Sequence, residues 1–279
     1  MIFNEEITFT ILGKVYAINF VLLTIRYFIF SGLAFLVFYY WKKDKFSIYR
    51  IQKKVPSNEK IINEIKYSLL TFTIFALVGV GIFLARRAGY TRIYTDFYEY
   101  GWGYFFLSVA ISIILHDMYF YFTHRLMHHK LLFKSFHQVH HNSTNPSPFA
   151  AFSFHPLEAI VEAGILPLLV IILPLHPFAI LSFILFMTIL NVLGHLGLEL
   201  YPVDFVTNPF TAWNNTSTHH NMHHQKFNCN YGLYFNWWDK IFRTNHESYL
   251  NEYHRITIER QEELKKNIIH HENIPLKSI

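Results

Sequence analysis

Three groups of histidines have a spacing that can do chemistry. His124-Arg125-Leu126-Met127-His128, followed by His129, is an H-x-x-x-H pattern. His137-Gln138-Val139-His140-His141 and His220-Asn221-Met222-His223-His224, the latter preceded by His219, are both H-x-x-H-H. Residues i and i+4 share one face of a helix, and i+3 lies close to it. Each group can therefore aim two or three imidazoles at one point. One such pair arises by chance on a surface helix; three groups in one chain point to metal binding. Imidazole suits iron, zinc, copper and nickel alike, so the pattern gives the class of site and not the metal. All 18 histidines fall between His116 and His271. The single cysteine, Cys229, excludes an internal disulfide and a thiolate metal site.

The elements that must position these rings are apolar. Hydrophobic residues are 52 % of the 279 and charged residues 15 %, against about 25 % charged in ordinary soluble domains. With 29 Phe and 18 Tyr, a soluble globule would expose large apolar patches, and disorder is excluded. A membrane span needs roughly 20 apolar residues. Residues 15–41, interrupted only by Arg26, form one such run; 67–85 and 101–115 form two more. The run is too long, and residues 1–6 too acidic, for a cleaved signal peptide. A fourth run, 160–193, is broken at Pro174-Leu175-His176-Pro177, where two prolines favour a turn between helices.

A helix from Gly101 to His129 would be about 40 Å long, more than the roughly 30 Å of hydrocarbon. His124 and His128 then stand just outside the membrane. His155 precedes the fourth run and His195 ends it, so that run must cross an even number of times if both reach one site. The expectation is an all-α integral membrane protein with four to five transmembrane helices, or three plus a re-entrant hairpin, under a histidine-rich helical cap. Residues 1–100 form an N-terminal transmembrane hairpin region, 101–245 the catalytic domain and 246–279 a charged tail. Lys42, Lys43, Lys45, Arg50, Lys53, Lys54, Lys60 and Lys66 between the first two spans place that loop, the cap and the tail in the cytoplasm. Arg86 and Arg87, on the other side, weigh mildly against this.

Other histidines have plainer readings. His176 sits at the far turn, His116 within the third span, and His246, His254, His270 and His271 in the solvated tail. His129 and His219 flank the main spacing. His155, before a proline, is a ligand candidate or a turn residue.

The chain resembles the fatty acid hydroxylase / sterol desaturase superfamily of integral membrane oxidoreductases. The resemblance rests on the stretch from Asp117 to His128, on Phe136-His137-Gln138-Val139-His140-His141, Phe154-His155-Pro156-Leu157-Glu158, His219-His220-Asn221-Met222-His223-His224, Asn230-Tyr231-Gly232 and Trp238-Asp239-Lys240-Ile241-Phe242-Arg243-Thr244. It covers about residues 100–245. One departure is Arg243, where relatives usually have glycine. The resemblance implies a centre of two iron ions held by His124, His128, His137, His140, His141, His195, His220, His223 and His224, with His155 as a further candidate. Zinc is a substitute in purified protein. It also implies O2 as co-substrate and oxidation of a lipid C–H bond, by hydroxylation or desaturation.

Two ions held by neutral rings call for carboxylates around them to orient the rings and offset charge. Asp117, Glu158, Glu199 and Asp239 are candidates, and Asn191 is a polar neighbour of His195. Haem, flavin and iron–sulfur motifs are absent from the sequence. Electrons would come from a separate cytochrome b5, ferredoxin or flavoprotein reductase, and nucleic acid is not a partner. A metal transporter would place ionisable residues at mid-depth in several spans, which the first two spans lack. A zinc hydrolase would need H-E-x-x-H, which is absent. A metal-buffering protein has no need of hydrophobic hairpins returning to the site.

Overall fold

The structure is a computed structural model; it describes residues 6–272, with side chains to residue 269. His270 and His271, read above as solvated, lie outside the described side chains. Among the described residues the chain is helical, with isolated β-bridges and no strand.

Helix α1 (Phe9–Tyr27) starts where Thr8 Oγ1 accepts the Ile11 amide. It continues without interruption through a π-helical turn (Phe28–Gly32), α2 (Leu33–Phe35) and a second π-helical stretch (Leu36–Trp41), making one 33-residue rod. After the basic loop, Ser57 caps α3 (Asn58–Arg87). Helix α4 covers Gly101–Met127, with His128 as its C-cap. Glycine at 101 permits the entry, because its φ is +70°. The fourth apolar run divides into α7 (Pro156–Ala163), α8 (Ile165–Ile172) and α9 (Pro177–Gly194). The rod, α3, α4 and α9 are each long and apolar enough to cross a membrane. Many of their outward side chains are apolar and exposed, among them Leu22, Leu77, Leu107 and Leu181, as helices facing lipid require.

The α8–α9 turn docks on the connection between α3 and α4. The Arg92 amide donates to Val170 O (2.7 Å), and the Leu175 amide to Arg92 O (3.2 Å). The α7–α8 arm thus runs from the histidine end to the opposite end, and α9 returns. The run therefore crosses twice, with both of its ends at the histidine end. His176 caps α9 at that far turn, its Nδ1 accepting the Phe178 amide.

Short helices close the histidine end: α5 (Phe133–Phe136), α6 (Gln138–His141), α10 (Ser217–Lys226) and α11 (Trp237–Ile241). A 3-10 turn, Pro148–Phe152, ties the bundle together. Its Phe149 carbonyl accepts Tyr27 Oη (3.0 Å) and Ser68 Oγ (3.1 Å), and its Ala151 carbonyl accepts Asn191 Nδ2 (2.6 Å). These bonds pair deeply buried polar groups on α1, α3 and α9, which would be costly to leave unpaired. The charged segment after residue 245 forms a helix, α12 (Tyr249–Glu272). It packs Tyr249 and Tyr253 against Met222 of α10. Its buried Arg260 donates to the Tyr201 carbonyl (2.6 Å) and to that of Glu199. An amphipathic face, with buried positions at 249, 253, 256, 257 and 260, explains the docking that net charge alone does not suggest.

Candidate metal centre

Nine histidines converge at the C-terminal ends of α4 and α9. His124, His128, His137, His141 and His223 form one group; His140, His195, His220 and His224 form the other. Within each group the ligand atoms lie within 4.8 Å of one another. All nine come from the three clusters and from His195, at the α9 C-cap. The clusters do not each serve one point, however. In each H-x-x-H-H the i,i+4 pair goes to one group and the middle histidine to the other. His137 and His141 join the first group while His140 crosses to the second. His220 and His224 join the second while His223 crosses back. On a helix the i+3 ring is rotated about 60–100° from its two companions, which makes this split the natural one when two sites stand side by side.

The outer nitrogens define the tautomers. His124 Nδ1 donates to Tyr231 O (2.9 Å), His140 Nδ1 to Ser153 O (3.3 Å), His195 Nδ1 to Asn191 O (2.8 Å) and His223 Nδ1 to Cys229 O (2.7 Å). A carbonyl has no proton to give, so Nδ1 carries it and Nε2 presents a bare lone pair inward. His137 Nδ1 meets Glu158 Oε1 at 2.6 Å. His140 and His195 thus direct two bare nitrogens at each other across 3.3 Å. His141 and His223 approach at 3.0 Å, and His220 and His195 at 3.0 Å. Nitrogens about 2.0–2.1 Å from one ion stand about 3 Å apart at bond angles near 90–110°. The donor sets therefore fit metal ions. Burial, reinforced by neighbouring imidazoles, holds His137, His140, His141, His220, His223 and His224 well below the usual imidazole range, and His195 falls to about 4. Neutral rings are the form that ligates.

The structure places the remaining sequence candidates elsewhere. His155 is not brought to either group; it caps α7, its Nδ1 accepting the Leu157 amide (3.3 Å). An imidazole before proline at a helix start does the work of an Asn or Asp cap. Glu158 touches His137 directly. Asp117 and Asp239 touch none of the nine. Asp117 accepts the Tyr234 and Phe235 amides and Trp238 Nε1. Asp239 accepts the Tyr231 and Gly232 amides (2.9 and 2.7 Å) and Thr244 Oγ1. Together they pin the loop whose Tyr231 carbonyl orients His124. Asn191 acts on His195 through its backbone carbonyl, while its amide is bound to Ala151. Glu199 accepts the Thr218 amide and hydroxyl at the start of α10 (3.0 and 2.8 Å). His219 bonds Asn245 (3.1 Å), and His116 Nδ1 bonds Tyr234 Oη (2.8 Å).

Several contributors were not anticipated. Tyr39 Oη donates to Leu196 O (2.7 Å), and Gln52 Nε2 donates to Asn221 Oδ1 (3.0 Å). Both brace the site from residues before 100. The carbonyls of Tyr231, Ser153 and Cys229 carry no sequence signal, since any residue supplies one; only Asn230-Tyr231-Gly232 marks the place.

A cavity of about 500 Å³ lies among the rod, α3, α4, α7–α8 and α9, within the roughly 300–1,000 Å³ of small-molecule sites. Phe120 and Phe154 line its histidine end. Their ring centroids lie 4.8 Å from His124 and 5.3 Å from His140.

Residues 109–244 match the sequence model of the fatty acid hydroxylase family. Similar curated proteins include human lathosterol oxidase, 34 % identical over 184 residues, 65 % of this chain and 60 % of the relative. A Δ7-sterol 5(6)-desaturase of Gibberella zeae is 32 % identical over 184 residues (66 % of this chain, 55 % of the relative). One from Leptosphaeria maculans is 31 % identical over 217 residues (77 % and 56 %). The chain spans less than two thirds of the length of these relatives. No solved structure matches it.

Proposed function

We propose that the chain is a membrane-bound, O2-dependent oxidoreductase of the fatty acid hydroxylase / sterol desaturase superfamily that hydroxylates or desaturates a lipid C–H bond, a reading supported by the match of residues 109–244 to the fatty acid hydroxylase model. The observation that carries this reading is the convergence of nine buried histidines as two adjacent donor sets at the end of an apolar cavity. His124, His128, His137, His141 and His223 would hold one iron ion and His140, His195, His220 and His224 a second. Iron supplies the one-electron chemistry with O2 that an unactivated C–H bond demands.

The chain's own residues do the rest. Carbonyl and carboxylate acceptors fix the ring orientations. Asp117 and Asp239 hold the 231–238 loop against the histidines. Phe120 and Phe154 separate the rings from the cavity and keep water from the reacting carbon. The apolar walls align one stretch of a lipid with the site, and small changes in that alignment decide between hydroxylation and desaturation. The names of the relatives make a sterol the first substrate to test within the wider lipid class. The electron donor would be a separate cytochrome b5, ferredoxin or flavoprotein reductase, meeting the histidine end from the cytoplasm. The nine histidines stand at one end of the bundle and not along several spans, which favours catalysis over a transport path.

Metal analysis of anaerobically purified full chain tests the proposal. Iron filling both donor sets, with O2 uptake on reduction and a changed lipid profile in expressing cells, is expected. Stoichiometric zinc alone, with iron reconstitution giving no O2 uptake, overturns it.

A further inference from the structure

Arg26 stands midway along the 33-residue rod, Phe9–Trp41. A charge at that depth is expensive and marks a functional position. The Arg26 Nε is buried without a partner, and no ion pair involves Arg26 among the described residues. It lines the cavity, as does Asn19, seven residues earlier on the same rod face. Gly79 of α3 makes room for Asn19, because a methyl group there would land on the Asn19 amide. The rest of the wall is mostly apolar, from Phe75 and Ile82 to Phe183 and Ile184, with His116, Glu162 and Asn191 as its other polar groups. Leu22, Ile25 and Ile29 of the rod and Leu181 of α9 line the cavity and are also exposed on the bundle surface. The cavity therefore opens toward lipid.

We propose that Arg26, with Asn19, anchors the oxygen function of the lipid substrate. This rests on the lipid-oxidising reading of the same site. The guanidinium donates to a hydroxyl or carboxylate oxygen, a geometry to which its fork is suited, and the apolar body of the lipid fills the cavity toward Phe120 and Phe154. Tyr27, next to Arg26, bonds the Phe149 carbonyl of the turn that leads to Ser153, whose carbonyl orients His140. The anchored oxygen therefore shares one cavity with the carbon offered to the histidines. A hydrocarbon without oxygen lacks the anchor.

The test is equilibrium binding to the full chain in lipid nanodiscs, corrected for partition into protein-free discs. Two labelled pairs are compared: hexadecanol with hexadecane, and lathosterol with its 3-deoxy counterpart. Wild type should bind the oxygenated member of one pair about tenfold tighter or more; the pair that discriminates identifies an acyl or a sterol source. R26M should lose the preference while hydrocarbon affinity stays within about twofold. R26K should retain part of it, and N19L should reduce it. R26Q, without charge, gives a second reading where R26M does not accumulate. An unchanged preference in the Arg26 variants, or no preference in wild type with either pair, overturns the proposal. Binding is read without turnover, so failure of the iron chemistry leaves this test intact.

Discussion

His140 and His155 separate ligation from spacing. Both are histidines in motif-bearing segments, yet one presents a bare Nε2 to His195 at 3.3 Å and the other caps a helix. His140→Ala should abolish turnover and lower bound metal, because it removes one of four donors from its group. His155→Ala should keep full metal content and activity, costing about 1 kcal/mol for the lost cap. Metal analysis and thermal unfolding of the two variants check this; full metal and turnover in His140→Ala would remove it from the ligand set. Glu158→Ala should weaken metal retention about 10–100-fold, the usual effect of removing the acceptor that orients a ligating ring. Glu158→Gln should lose less, because an amide oxygen still accepts from His137 Nδ1. Chelator competition measures both, and equal retention in Glu158→Ala and wild type would contradict the orienting role. Eight of the nine converging rings were legible in the sequence, because they lie in clusters whose helical spacing is a direct statement about helix faces; His195 stands out only by its place at the end of an apolar run. The division of the nine into two sets was not legible: it depends on how α6 and α10 are rotated against each other, which only tertiary packing decides.

The segment 230–244 shows how an element can be readable in composition and opaque in conformation. Asn230 and Arg243 both have left-handed backbones, at φ +59° and +54°. Asn tolerates this region, and here its side chain also bridges His219 O and the His246 amide. Arginine does not favour it, which explains why a glycine would be expected at 243. The Arg243 side chain is exposed. Arg243→Gly should relieve about 1–2 kcal/mol of backbone strain and return about 0.5–1 kcal/mol in chain entropy. The variant should be as stable as wild type or slightly more so, with unchanged metal content. A clearly lowered thermal midpoint would mean that Arg243 makes a contribution its backbone does not predict. The same contrast holds for the termini of the long helices. Apolar runs identified all four, but α3 and α4 extend into polar sequence, where caps and packing, not hydropathy, set the ends. The segment after 245 was read as solvated from its charge, whereas its buried face at Tyr249, Tyr253 and Arg260 emerges only once α10 is there to receive it.

Crossing order and charge together predict an orientation for the bundle. The rod ends and α3 begins at the histidine end, α3 ends and α4 begins at the other, and α4 returns. The α7–α8 arm and α9 go out and back. The basic loop at 42–54 therefore shares a face with the nine histidines, while Arg86, Arg87 and Arg92 lie opposite. The larger positive excess is expected on the cytoplasmic side, which would put the histidine end within reach of the proposed electron donor. Wild type provides a low background for thiol labelling, because Cys229 is buried. Lys45→Cys should react with a membrane-impermeant maleimide only when the cytoplasmic face is exposed. Tyr98→Cys, in the α3–α4 connection and highly exposed, should react only from the opposite side. The reverse pattern would put the histidines outside the cytoplasm, and the wider spread of Lys42 to Lys54 would then have lost to the compact Arg86–Arg87 pair. Labelling of both positions from one side would be incompatible with α3 as a crossing helix. It would also move Arg26 and the cavity it lines out of the hydrocarbon, since the rod and α3 pack along their length.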